Sequence, residues 1–195
     1  MIKTMLAATL ACAAPLDAAL AATKVTCVGS TTELANALAA LSTSTANMDA
    51  DEIRIRAGTY FAPAGGWVGS VTTHHALTIR GGYTDAGCTQ RSPDASRTVL
   101  DGNDASGVMT INAFQIPDSD IEVSGLTFQH GRGGNTFESN AGGLKIGDPN
   151  PISGGKILVE RNIFVVAVIG AALEAVHGRL CRHRPTYEYN EHARP

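Results

Sequence analysis

Two stretches of the chain match each other: Ile121-Glu-Val-Ser-Gly-Leu-Thr-Phe128 aligns with Ile157-Leu-Val-Glu-Arg-Asn-Ile-Phe164 at an offset of 36 residues. A second match sets Ala141-Gly-Gly-Leu144 against Gly170-Ala-Ala-Leu173 at an offset of 29. The shortfall is about the size of the insertion Asp148-Pro-Asn-Pro-Ile-Ser153. Repeats of this size with loop insertions predict a solenoid, whose coils can bury their apolar tops and bottoms only by stacking on neighbours. The repeated elements alternate with period 2, so the solenoid is all-β. A β-sandwich with accidental internal similarity is the competing reading.

The alternation is widespread. Ile53 and Ile55 alternate with Arg54 and Arg56 before Ala57-Gly58-Thr59-Tyr60 turns the chain. Leu77 and Ile79 alternate with Thr78 and Arg80 up to Gly81-Gly82. Val99-Leu100 runs into Asp101-Gly102-Asn103, and Val108 to Ile111 is a short strand. Ile121 and Val123 precede Gly125, with Leu126 and Phe128 beyond it; Leu144 and Ile146 flank Lys145; Ile157, Val159, Ile163 and Val165 continue. With 21 glycines and only 5% aromatic residues, the chain suits many turns and small packed layers. One helix is expected, over about residues 31–42. Ser30-Thr31-Thr32-Glu33 reads as a capping box, and Leu34, Ala37, Leu38 and Leu41 follow at helical spacing. No second helix is expected before residue 165.

The two ends differ from the middle. Met1-Ile2-Lys3, an apolar run from Met5 to Ala14 and Ala19-Leu20-Ala21 form a secretory signal peptide over residues 1–21. The apolar run is too short to span a bilayer. A lipoprotein cut before Cys12 fits worse, because Thr9 stands where such a signal has Leu. Export implies an extracellular, cell-surface or periplasmic location, and there an odd cysteine count needs explaining. Cys12 leaves with the signal. Cys27 and Cys88 lie in the well-patterned region and are assigned as a disulfide, worth about 4 kcal/mol from chain entropy. Residues 177–195 hold four of the 15 Lys and Arg, three of the six His, Cys181, and one of the 21 Gly. This atypical tail reads either as the product of a frameshift or early stop near Val176 or as a short natural extension. If the array is cut, its last coil is uncapped and prone to self-association.

Particular residues then suggest a family. Thr32-Glu33-Leu34 with Ala37-Leu38, followed by Ile53-Arg-Ile-Arg-Ala-Gly-Thr-Tyr60, resembles the opening of right-handed parallel β-helix proteins of the pectate-lyase-like superfamily. Gly81-Gly82-Tyr83, Cys88, Arg91 and Thr98-Val-Leu-Asp-Gly102 resemble a bacterial surface-protein branch. Asn162-Ile-Phe164 and Ala141-Gly-Gly-Leu144 are similar to that branch's later coils. The resemblance spans about residues 25–176 and implies a right-handed parallel β-helix over residues 22–176, with an N-terminal capping helix and an incomplete C-terminal end. These motifs are packing and turn residues, so they speak for fold and hardly for activity.

The chemistry-bearing residues are ambiguous. Adjacent His74 and His75 point to opposite faces of a strand and do not form a metal site. Cys27, Cys88 and Cys181 have no metal-binding spacing. No metal and no cofactor is expected; calcium at Asp101-Gly-Asn-Asp104 competes with an ordinary turn there, and Asp118 and Asp120 share that ambiguity. Arg54, Arg56 and Arg80 suit either the cationic wall of a polyuronate cleft or a solvated strand face. Gly131, Gly133 and Gly134 around Arg132 lack the lysine and the following helix of a phosphate loop. Phe164 to Leu173 is apolar, too short to span a membrane, and expected to be buried. With 15 basic against 18 acidic residues, nucleic acid is not an expected partner.

Two functional classes follow. One is a secreted β-helix scaffold or adhesin-like surface protein with no evident catalytic site, whose partners are cell-surface glycans or polysaccharide. The other is a polysaccharide lyase or glycosidase acting on acidic polysaccharide. The N-T-D, D-D, G-H-G and R-I-K set of polygalacturonases is incomplete, since Gln129-His130-Gly131 and Arg54-Ile-Arg56 match only in part and in the wrong order. Catalytic residues are therefore not assigned. A truncated product without function is the third reading.

Overall fold

The structure, a computed structural model, describes residues 23–41, 50–71, 76–113, 120–133, 142–147, 156–165, 173–175, 179–182 and 186–188. In chain order the first elements are β1 (Lys24–Val28), α1 (Thr31–Leu41), β2 (Asp51–Arg56), β3 (Gly58–Phe61) and β4 (Trp67–Val71). Next come β5 (Leu77–Tyr83), β6 (Thr98–Asp101), β7 (Met109–Ala113), β8 (Ile121–Ser124), β9 (Thr127–Gln129) and β10 (Leu144–Ile146). The last are β11 (Lys156–Glu160), β12 (Ile163–Val165), β13 (Leu173–Ala175), β14 (Arg179–Arg182) and β15 (Thr186–Glu188). They form three sheets: β1-β2-β5-β8-β11-β14, then β3-β6-β9-β12-β15, then β4-β7-β10-β13. Every pairing between these strands is parallel. From β2 onward the chain visits the first, second and third sheets in that order and then begins again.

The two sequence repeats are the strand register. Ile157 pairs with Ile121, Phe164 with Phe128 and Leu173 with Leu144. The physical cause is the alternation: a one-residue slip would turn each apolar set to the outside. Inward residues therefore form columns. Ile53, Leu77, Ile79, Ile121, Val123 and Ile157 line the first sheet; Tyr60, Leu100, Phe128 and Phe164 the second; Trp67, Met109, Ile111, Leu144 and Ile146 the third. Each contributes about 1.5–3 kcal/mol by leaving water. Phe128 and Phe164 stack with ring centroids 5.1 Å apart and planes at 8°.

The helix α1 closes one end of this core. Ser30 Oγ accepts from the Glu33 amide at 3.2 Å, and Glu33 Oε2 accepts from the Gly29 amide at 2.7 Å. This reciprocal cap is shifted by one residue, because the carboxylate reaches the residue before the N-cap. Leu34, Leu38 and Leu41 are buried. Gly69 on β4 lets the helix approach: a Cβ there would lie 3.1 Å from Leu38 and 3.2 Å from Ile111.

The corners between the first and second sheets use a left-handed residue. Gly125 has φ 71° and its repeat partner Arg161 has φ 53°. The buried Asn162 beyond the corner binds back to the previous coil: its Oδ1 accepts from the Leu126 amide at 3.0 Å and its Nδ2 donates to the Val123 carbonyl at 2.8 Å. Cys27 and Cys88 form a disulfide with Cα atoms 5.7 Å apart, tying edge strand β1 to the loop after β5. Several elements differ from the sequence reading. β1 and β4 were not foreseen; β3 occupies the segment read as a turn; Ala95–Arg97 forms a single 3-10 turn. β14 pairs with β11 and β15 with β12.

Candidate functional site

The outer face of the first sheet carries a row of charged residues. Register places Glu52, Thr78 and Glu122 side by side, and Arg54, Arg80 and Ser124 beside them. Arg80 joins three strands. Its guanidinium donates twice to Glu122, at 3.0 and 2.9 Å, and reaches Glu52 at 3.5 Å. Arg54 donates to Glu52 at 2.9 Å and to the Cys88 carbonyl at 3.1 Å, with its guanidinium carbon 5.5 Å from the centre of the Tyr83 ring. Tyr83 donates to Glu52 at 3.4 Å. The hydrogen bond from Arg54 holds the Glu52 carboxyl below the usual carboxylate range against the opposing effect of burial. The hydrogen bond from Arg80 does the same for Glu122.

Arg54 and Arg80 thus sit in a charge-balanced network. Arg56, third of the arginines singled out in the sequence, packs against Gly29, where a Cβ would overlap its guanidinium. The remaining motif residues also bind neighbouring backbone. Arg91 donates to the Gly81 carbonyl at 2.9 Å and to Ser124 at 3.0 Å. Thr98 Oγ1 accepts from the Gly82 amide at 2.8 Å and donates to the Arg56 carbonyl at 3.3 Å. Gly82 itself has φ 89°, and a Cβ there would overlap the Ser92 carbonyl.

A second cluster lies where the second sheet turns toward the third. Asp101, 5% exposed, accepts from Gln129 Nε2 at 2.8 Å, from the Asn103 amide at 2.8 Å and from His130 Nδ1 at 3.0 Å. Burial alone would raise its carboxyl; the three donors outweigh burial and lower it. Asn103, Asp104 and His130 all have left-handed backbones, with φ near 50°. The turns interlock, since the Asp104 amide donates to the His130 carbonyl at 2.8 Å and the Arg132 amide to the Ser106 carbonyl at 2.9 Å.

Sequence reading missed the Asp101–His130 pair because the two residues are 29 apart. Its only signals were the partial Gln129-His130-Gly131 match and the turn at Asp101. Asp101 makes the turn through Asn103, and no group of three or more His, Cys, Asp or Glu placed for a metal ion occurs among the described residues. Asp120 accepts from the Lys156 amide at 2.9 Å. Gly131 is packed so closely that a Cβ would overlap the Gly142 carbonyl. His74, His75, Asp118, Gly134 and the side chain of Cys181 lie outside the described residues. No described helix is long and apolar enough to cross a membrane. Comparison with protein-family models, with curated proteins and with solved structures returns no match.

Proposed function

We propose that the chain is an exported right-handed parallel β-helix that serves as a surface or adhesive scaffold, with glycans as its partners. The observation that carries this reading is the use made of the polar motif residues. Arg80 binds Glu122 and Glu52 across three strands, Arg91 reaches the Ser124 hydroxyl in the following coil, and Thr98 binds the Arg56 carbonyl in the preceding one. These groups hold the stack together. The repeating visit to three parallel sheets supports the β-helix, and the capped apolar end under α1 supports the N-terminal capping helix. The signal-like residues 1–21 and the Cys27–Cys88 disulfide support export.

The test is turnover. Purified protein incubated with polygalacturonate and with neutral polysaccharides should release no unsaturated products and no new reducing ends, while binding at least one glycan. Release of unsaturated products, abolished by a chelator, would replace the scaffold with a lyase. Export is tested separately by mass spectrometry of the envelope fraction, where the mature chain should begin at Ala22.

A further inference from the structure

Phe61, Asp101 and Gln129 occupy matched positions at the ends of β3, β6 and β9. The residue before each one, Tyr60, Leu100 and Phe128, is buried in the core. All three therefore point outward on one face, on strands about 4.8 Å apart. Phe61 is 56% exposed, the highest value among the described large apolar side chains. Asp101 is enclosed and acts on its neighbours. A carboxylate can only accept, so its contact with Gln129 Nε2 leaves Oε1 as the remaining acceptor of that amide. Its contact with His130 engages Nδ1 and leaves Nε2 as the ring nitrogen not used in that contact. The His130 side chain is 46% exposed, and its turn is locked to the turn before it.

An exposed apolar ring on the same face as an amide and an imidazole, each anchored by Asp101, complements a ligand with a C–H face and hydroxyl groups. Among the described residues of the two adjoining turns, the exposed charges are Asp104 and Arg132, opposite in sign, so these residues give the row no positive excess to attract a polyanion. The strand spacing also approximates the advance of one sugar unit along an extended glycan. From this, and resting on the glycan-binding reading above, we infer that the row Phe61–Gln129–His130 binds a neutral polysaccharide strand lying along the stack, with Phe61 as its stacking platform.

Affinity gel electrophoresis tests this with hydroxyethyl cellulose, dextran, galactomannan and polygalacturonate as probes. Wild type and the control Val25→Ala, whose exposed side chain lies on β1, should be retarded alike by a neutral polysaccharide, and added salt should not reverse it. Phe61→Ala should bind about tenfold more weakly. His130→Asn, which tolerates the left-handed backbone, should bind several-fold more weakly, with circular dichroism unchanged in both variants. Retardation by polygalacturonate alone, retardation by none of the neutral probes, or equal retardation of wild type and Phe61→Ala would overturn the inference. Turnover of a polysaccharide is a separate readout and would sink the scaffold reading instead.

Discussion

Phe128 and Phe164 stand 36 residues apart and stack ring on ring, 5.1 Å between centroids, in adjacent strands of one parallel sheet. Both are about 1% exposed, so the pair forms part of the core that neighbouring coils bury together. Replacing Phe164 by Ala removes a buried aromatic and leaves a cavity against Phe128. The expected loss is about 3–5 kcal/mol in urea unfolding, with Phe164→Leu costing much less.

Asn162 satisfies two backbone groups of the preceding coil at a corner. Asn162→Ala leaves the Leu126 amide and the Val123 carbonyl without that partner in a buried setting. A loss of about 1–3 kcal/mol is expected from denaturant midpoints.

Arg161 holds the left-handed corner that Gly125 holds one coil earlier, and it is exposed. Arg161→Gly should relieve the backbone cost while loosening the unfolded chain slightly. A net gain of about 0.5–1 kcal/mol is expected in thermal or urea unfolding.

Arg80 binds Glu122 with two parallel hydrogen bonds. Lysine keeps the charge but lacks the fork, so Arg80→Lys should recover only part of what Arg80→Ala loses. For Arg80→Ala, with a side chain 35% exposed, the expected loss is about 1–2 kcal/mol.

Asp85 organises the loop that carries Cys88. It accepts from the amides of Gln90 and Thr89 and from the Thr89 hydroxyl, and the Gln90 bond leads in pulling its pKa from 3.8 to about 2. The folded value is depressed, so the stabilisation is complete above the unfolded value and fades as pH falls from about 4 to about 2. Urea midpoints across that window should fall more steeply for wild type than for Asp85→Asn. Glu52 and Glu122 contribute to both proteins, so the difference between the two slopes belongs to Asp85.

The core was legible because inward positions must be apolar at every second residue, and this is what Ile121–Phe128 and Ile157–Phe164 display. Edge strand β1 was not, because one coil covers it on one side only and its pattern is mostly exposed or half-buried. β4 was hidden by Gly69, which admits α1, and by Gly65 and Gly66 in the turn before it. The site clusters were less legible still. Strand partners in the first sheet are separated by 26 residues from Asp51 to Leu77, by 44 from Leu77 to Ile121 and by 36 from Ile121 to Ile157. Such unequal coils give contacts like Arg80–Glu122 and Asp101–His130 no constant spacing to read.

The in-register parallel stack is tested most directly by engineered cysteines at matched outward positions. In a background with Cys12 and Cys181 replaced by Ser, Gln129→Cys and Val165→Cys occupy paired positions of β9 and β12. At one strand spacing, about 4.8 Å between Cα atoms, they fall within disulfide reach. Non-reducing mass spectrometry after mild oxidation should find them linked, while Gln129→Cys with Ile163→Cys, two residues out of register, stays reduced. Linkage of the second pair and not the first would contradict the stack and the repeat-to-register relationship beneath it.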